Sequence, residues 1–592
     1  MKSKPLNVRQ KNRWKATRTV LQVFVLLWAG WWIYSSIYHT QAYVEPDRST
    51  WQSRDGFIAL SYFGVNRTGG AKLVDKELLE EHLQTLSDQG YVTISQQDIL
   101  NYYQEGTPLP EKALFLAFED GRNDSALYAE PILEDLSYKA TMMTYAEKME
   151  NHERKFLRPK DLKKMQKTGY WEWGTNGYRL SYINLFDAEG RFMDVMDDSE
   201  MKKEQDIEKI AYYNHYLMDF IRDENMIPVE DRTEMSERID RDYELLEKDY
   251  IDALGEVPRT YMIMHANALY GGMNRLVEEA NVRNIERLFQ MHFNREGTSY
   301  NTGDESLYNL TRLQVAPYWS TNHLLMKIQK DTGQKAEFIA GDEDQAQQWE
   351  LVSGAVQFKG ERIILTSPPG QAGMMILKQS GDDKADIRLT AELAGNVVGQ
   401  QSFYVRYDRK QDAYVRIRIH DNRLIVEQKS AQQEQPETIY DQRLGEVHWS
   451  SEDLAFDKAS VYTREQTAAG SEIEYDDEGE YPINIQQTRK LEITVQDDRL
   501  TVIVDDEKRL DQHAIDGSLL SGGVALQAEY SEMNLKDDIY DAIFDRMTLE
   551  AVGDQGEVEE TLYSNRLTGI PSLRNNIEEK LDSLVNWAID AF

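Results

Sequence analysis

Residues 113–121, Ala-Leu-Phe-Leu-Ala-Phe-Glu-Asp-Gly, restrict the fold of this chain more than any other stretch. An unbroken apolar run this short predicts a strand buried on both faces, as in the middle of a parallel sheet. The run ends in two adjacent carboxylates, Glu119 and Asp120, and then Gly121. Parallel α/β sheets and barrels gather their chemistry at the carboxyl ends of their strands, so this pair marks where a site belongs. An isolated Glu-Asp-Gly is more often a strand followed by an acidic turn, and the flanking segments shift that balance.

Those segments resemble the polysaccharide deacetylase (NodB-homology) family, in particular its biofilm poly-N-acetylglucosamine deacetylases. Ala59-Leu60-Ser61-Tyr62-Phe63 is similar to the family's opening Leu-Thr-Tyr-His strand. Leu83 to Leu100, with Gly90-Tyr91-Val92-Thr93-Ile94-Ser95, resembles its next helix and strand. Phe118-Glu119-Asp120-Gly121 stands where the family has Phe-Asp-Asp-Gly, and Lys139-Ala140-Thr141-Met142 resembles the following strand. Gly169-Tyr170-Trp171-Glu172-Trp173-Gly174-Thr175 is similar to the segment leading into the family's metal-binding histidines. Ile239-Asp240-Arg241-Asp242-Tyr243 through Leu254-Gly255, Leu269-Tyr270-Gly271 and Leu310-Thr311-Arg312-Leu313 follow the remaining blocks in order. The resemblance spans about residues 57–325 and implies a distorted β/α barrel over 57–330.

It also implies a site. Members of the family hold a divalent metal with one Asp and two His and use a second Asp as base. Carried over, Asp120 is the metal carboxylate, Glu119 the base and Arg312 a third catalytic candidate. Tyr62, Trp171, Asn176, Tyr178 and Tyr270 would line the sugar cleft. This chain departs from the pattern at the histidines: Asn176 takes the first place, Leu180 or Ser181 the second, and Phe63 replaces the opening His. Leu269 stands for the proline of Pro-Tyr-Gly. Amide, hydroxyl and alkyl groups are poor ligands for zinc and its neighbours, so no metal is expected. The alternative is a zinc-like ion on Asp120 and His265, which ends the apolar run Tyr261-Met262-Ile263-Met264. Glu119 is one methylene longer than Asp, and a shift of about 1 Å costs about a hundredfold in rate. The domain therefore reads as a degenerate deacetylase.

Ahead of it, residues 1–18 carry Lys2, Lys4, Arg9, Lys11, Arg13, Lys15 and Arg18 and no acid, and residues 19–38 carry no charge. Twenty helical residues match the hydrocarbon thickness of a bilayer. The basic flank and the Trp/Tyr cluster at the far end predict a single anchor with a cytoplasmic N-terminus and an extracytoplasmic remainder. A signal peptide cleaved near Ala42 is the alternative. The chain has no cysteine, which excludes disulfides and lipoprotein anchoring and points to a bacterial, extracellular setting. A net charge of −36 argues against nucleic acid and suits solubility at a cell surface, or attraction of a cationic, partly deacetylated polymer.

An insertion over about residues 184–255 is expected to be helical. Ile207, Ile210, Ala211, Asn214, Leu217, Met218 and Ile221 fall on one stripe, and a second helix over 233–254 carries Ile239, Tyr243, Leu246, Tyr250 and Leu254. Residues 331–348 read as a linker. From 349 to 552, alternating strands such as 402–407, 413–419, 423–427, 491–495, 500–504 and 523–528, separated by Asp421-Asn422 and Asp497-Asp498, predict an all-β sandwich. It resembles the concanavalin-like (laminin-G-like) jelly rolls. Tyr404, Arg406, Tyr407, Tyr414, Arg416 and Arg418 read as a sugar-binding strand pair or an ordinary outer face, and residues 472–480 as a solvated acidic loop or a calcium site. The tail, 565–592, predicts an amphipathic helix through Leu573, Ile577, Leu581, Leu584, Ala588 and Phe592 that packs on protein.

The sequence thus suggests an anchored, extracytoplasmic pseudoenzyme that binds or guides an exopolysaccharide. The alternatives are a working N-deacetylase acting on a hexosamine polymer and a structural subunit of a membrane glycosyltransferase complex.

Overall fold

Seven parallel strands close into a barrel around the 113–121 stretch. Phe57–Tyr62 pairs on one side with Ala113–Phe118 and on the other with Leu310–Gln314; Met291–Glu296, Thr260–Met262, Trp171–Gly177 and Ala140–Tyr145 complete the ring. This computed structural model describes residues 18–19, 22–24, 27, 42–150, 154–187, 191–197, 210–263, 269–270, 273–378, 386–448, 481, 483–553 and 555–567. Ala113–Phe118 is buried along its whole length, as a continuous apolar run requires. Phe118 lies opposite Tyr62, and Ala117 opposite Thr141. The barrel's strands therefore end together, with Glu119 and Asp120 at the carboxyl mouth.

The insertion differs from expectation. Ile210–His215 is a strand rather than part of a helix over 207–221, and it pairs antiparallel with Ser181–Asp187, which pairs in turn with Phe192–Asp197. The sequence Ile-Ala-Tyr-Tyr-Asn-His is rich in residues that favour a pleated surface, and Ser181–Asp187 offers it an edge to pair with. The apparent stripe continues only because a turn buries Leu217, Met218 and Phe220. The second helix forms as Arg232–Leu254, with an Asp231/Glu234 capping box, and buries Ile239, Tyr243, Leu246, Tyr250 and Leu254.

Beyond the barrel, a seven-stranded and an eight-stranded antiparallel sheet pack face to face. Phe403 from one meets Phe544 from the other edge-on at 5.1 Å. Every strand expected above falls within an observed one. The Asp421-Asn422 turn takes positive φ at both residues, the geometry that a tight hairpin requires. Residues 331–348 are ordered: Phe358 and residues 340–342 exchange backbone hydrogen bonds, and Glu343–Gln347 is helical. The proposed anchor (apart from residues 19, 22–24 and 27), His265, residues 472–480 and the tail beyond 567 lie outside the described residues. Among the described residues, no helix is long and apolar enough to cross a membrane.

The two domains meet along the helix Thr321–Thr332. His323 is held between Asp541, 3.1 Å from Nδ1, and Asp537, 2.9 Å from Nε2. Trp319 stacks on the imidazole at 4.8 Å and donates its indole N–H to Asp537, which Lys327 also pairs at 3.2 Å. Burial alone would lower the His323 pKa; the two carboxylates outweigh it and raise it from 6.5 to about 9. Burial would raise Asp537, but His323 and then Lys327 bring it down from 3.8 to about 2. A raised imidazole contributes fully below pH 6.5 and is lost as the pH climbs through about 9; a depressed carboxylate contributes above pH 3.8 and is lost as the pH falls through about 2. The junction is therefore firmest between those ordinary values. Calorimetric unfolding should show Tm falling as the pH is raised through about 9, and His323→Ala, which leaves the buried Asp541 without a cation and Asp537 with Lys327 alone, should cost about 3–5 kcal/mol at neutral pH and abolish that alkaline dependence.

Candidate functional site at the barrel mouth

Ala113–Phe118 delivers two carboxylates to the mouth, and each meets its own cation. Glu119 is fully buried, and its Oε1 accepts from Arg312 Nε at 3.0 Å. Arg312, on Leu310–Gln314, is 1% exposed, and its Nη2 lies 3.6 Å from Glu296. Burial would raise the Glu119 carboxyl, but the Arg312 charge holds it below the usual range, so it stays ionised. Its second oxygen has no partner among the described residues.

Asp120 sits in the left-handed region at φ 65°, followed by Gly121 at φ 63°. A side chain at Gly121 would meet Thr144 Cγ2 at 2.8 Å, so glycine is required there. The Asp120 N–H donates to Asn176 Oδ1 at 3.2 Å, and Asn176 Nδ2 donates to the Met262 carbonyl at 3.1 Å. Asp120 Oδ1 takes the Lys148 ammonium at 2.5 Å. Lys148 belongs to the short helix Ala146–Glu150 that follows Ala140–Tyr145, and its ammonium lies 4.6 Å from the ring centroids of both Tyr145 and Phe156. A carboxylate and two ring faces thus enclose the cation.

This arrangement does not fit a divalent metal. The carboxylate that would bind the ion is paired with an ammonium, and both ends of the Asn176 amide are engaged by backbone. Ser181 opens the first strand of the insertion sheet. Among the described residues, no group of three or more His, Cys, Asp and Glu could hold a metal ion.

Glu119, Asp120, Arg312 and Asn176 come together as expected from their order. Tyr62 and Trp171, expected in the sugar cleft, do not line it. Tyr62 is fully buried, stacks on Phe118 at 5.7 Å and shares a hydrogen bond with His82; Trp171, 2% exposed, packs edge-on against Phe118 at 5.5 Å. Both side chains belong to the barrel core. Tyr178, half-buried under the Arg179 guanidinium, follows the carboxyl end of Trp171–Gly177; Tyr270, 38% exposed, has Glu286, Glu278 and Tyr308 as its neighbours, so only Tyr178 is placed beside the mouth. Lys148 was not anticipated, although its place three residues past a strand end would have flagged it. On the sandwich, Arg416 and Arg418 both pair with Glu427, and Arg416 also donates to the Tyr404 hydroxyl, so these charges are engaged with one another within the sheet face.

Residues 106–226 match the family described as Polysaccharide deacetylase. The match takes in the strands Ala113–Phe118, Ala140–Tyr145 and Trp171–Gly177 of the barrel. Among solved structures, the chain is similar to the BpsB deacetylase domain from Bordetella bronchiseptica (15% identity, 46% of this chain and 98% of that one, TM-score 0.34). It is also similar to a de-N-acetylase from Aggregatibacter actinomycetemcomitans (18%, 45% and 96%, TM-score 0.33) and to the carbohydrate binding module CBM66 from Bacillus subtilis (14%, 34% and 94%, TM-score 0.23). No curated protein matches the chain.

In this deacetylase-like barrel the mouth is held by internal ion pairs. Removing one partner of a buried pair leaves the other uncompensated, at a cost of about 3–5 kcal/mol, whereas neutralising both restores much of it. Lys148→Met should therefore destabilise the protein strongly in urea unfolding, and the double change Lys148→Met, Asp120→Asn should recover most of the loss. Equal losses in the single and double variants would mean that the pair carries no coupling.

Proposed function

We propose that this is a membrane-anchored, extracytoplasmic bacterial protein whose deacetylase domain binds or guides an extracellular polysaccharide without removing acetyl groups. The observation that carries this reading is the Lys148 ammonium on Asp120. Deacetylation in this family depends on a divalent ion that polarises the acetyl carbonyl and acidifies water, and an ammonium supplies neither an open coordination position nor a comparable Lewis acid. The cleft keeps its ion pairs, with Tyr178, directly after Trp171–Gly177, as a face on which a sugar ring can stack. The resemblance to biofilm enzymes favours an exopolysaccharide as the ligand. An anchored, glycan-holding protein suits a place beside a membrane glycosyltransferase in a synthesis and export assembly.

Three measurements on the detergent-solubilised chain test this. Metal analysis should find no stoichiometric ion, N-acetylglucosamine oligomers should release no acetate, and the polymer should nonetheless be retained on an affinity column. Tyr178→Ala should weaken retention by up to about tenfold, the worth of one stacked ring. Acetate release that vanishes in Asp120→Asn would instead establish a working enzyme. Copurification with a glycosyltransferase, indifferent to every cleft substitution and without glycan retention, would establish a purely structural subunit.

A further inference from the structure

Residues 43–56 cross the amino-terminal face of the barrel as a strap. That face is where the strands begin: Tyr170 precedes Trp171, Lys139 precedes Ala140, and Leu109 lies just ahead of Ala113. Tyr43 donates its N–H to the Thr168 carbonyl, and its ring meets Tyr170 edge-on at 5.3 Å. The approach is close enough that a Cβ at Gly169 would fall 2.9 Å from that of Tyr43. Lys139 places its ammonium 4.4 Å from the Tyr43 ring centroid and 2.9 Å from Glu45. Arg48 joins Glu45 at 2.9 Å to the buried Asp98 at 2.7 Å. Ser53 and Leu109 then exchange backbone hydrogen bonds at 3.0 and 2.9 Å before the chain enters Phe57–Tyr62.

Only residues 39–42 separate the uncharged run from Tyr43, a tether of at most about 18 Å. We infer that the strap seats the barrel with its amino-terminal face toward the bilayer and its mouth, with Glu119, Asp120 and Lys148, on the far side. The inference rests on the proposed anchor. A six-residue strand spans about 20 Å, so the mouth opens about that much farther out than the strap. The ligand it takes is then a length of polymer standing away from the membrane, not a lipid-borne saccharide lying at the bilayer surface.

The absence of native cysteine makes the test direct. Glu111 and Asn123 flank the two ends of the same strand, Ala113–Phe118, and both are exposed. The full chain carrying Glu111→Cys or Asn123→Cys, labelled with a donor dye and reconstituted into liposomes with an acceptor on the outer headgroups, should show clearly higher transfer for Glu111→Cys. Adding Tyr43→Ala and Lys139→Ala should narrow the difference as the strap loosens. A chain that incorporates but transfers equally, or more strongly from Asn123→Cys, overturns the orientation and leaves the anchor standing. A chain that fails to incorporate overturns the anchor and the orientation with it. Binding measured on the same liposomes should favour soluble polymer over a lipid-linked oligosaccharide, and the reverse preference would overturn the assignment of the ligand.

Discussion

A buried carboxylate at the mouth of a barrel has to meet positive charge, and here the charge is the ammonium of Lys148. Everything about the site follows from that choice. A divalent ion shared among one carboxylate and two imidazoles leaves an open position where water or a carbonyl can bind. An ammonium is a compact point charge on a flexible stem, saturated by its own hydrogens and by the carboxylate it meets. The rings of Tyr145 and Phe156 close its remaining sides. Deeper in the barrel, Arg312 neutralises Glu119 in the same way. Glu119 and Asp120 are thus each met by a cation inside the barrel, with Glu296 sharing Arg312.

The same geometry accounts for the survival of a strained turn. Asp120 and Gly121 both sit at positive φ, a conformation that costs a non-glycine residue on the order of 1 kcal/mol or more. It is held because the Asp120 N–H reaches Asn176, whose amide reaches on to the carbonyl of Met262. One side chain thereby ties the ends of Ala113–Phe118, Trp171–Gly177 and Thr260–Met262. An imidazole facing a metal could not make both bonds at once, so Asn176 is not a damaged ligand but a tie between three strands.

How much of this the sequence carried depended on range. The run 113–118, the stripe of Arg232–Leu254 and the period-two strands of the sandwich are local patterns, and local patterns were legible. The strand Ile210–His215 was not, because six residues spaced for a helix face also fit a pleat once a partner edge exists, and that edge comes from Ser181–Asp187. Tyr62 was misplaced for a related reason: near the carboxyl end of a strand, consecutive side chains point alternately into the mouth and back toward the core, and only the register decides which. Trp171 opens its strand and so lies at the opposite end from the mouth. Lys148 and Asp120 stand 28 residues apart, and His323 and Asp537 stand 214 apart. No spacing rule announces a pair that exists only when the barrel has closed or the domains have met.

Those long-range pairs also set how orientation passes through the molecule. The strap fixes the amino-terminal face of the barrel through Tyr43, Glu45 and Arg48. At the junction, the buried faces of His323, Asp537, Asp541 and Lys327 leave no ionised group without a counterpart, and Glu81 reaches across to Gln357 and Lys359. Sliding the domains would expose or strand several buried charges together, at a cost of several kcal/mol for each one left unpaired. The sandwich is thus carried as one piece with the barrel rather than swinging on residues 331–348. Whatever direction the strap gives the mouth, the β-sheets inherit it.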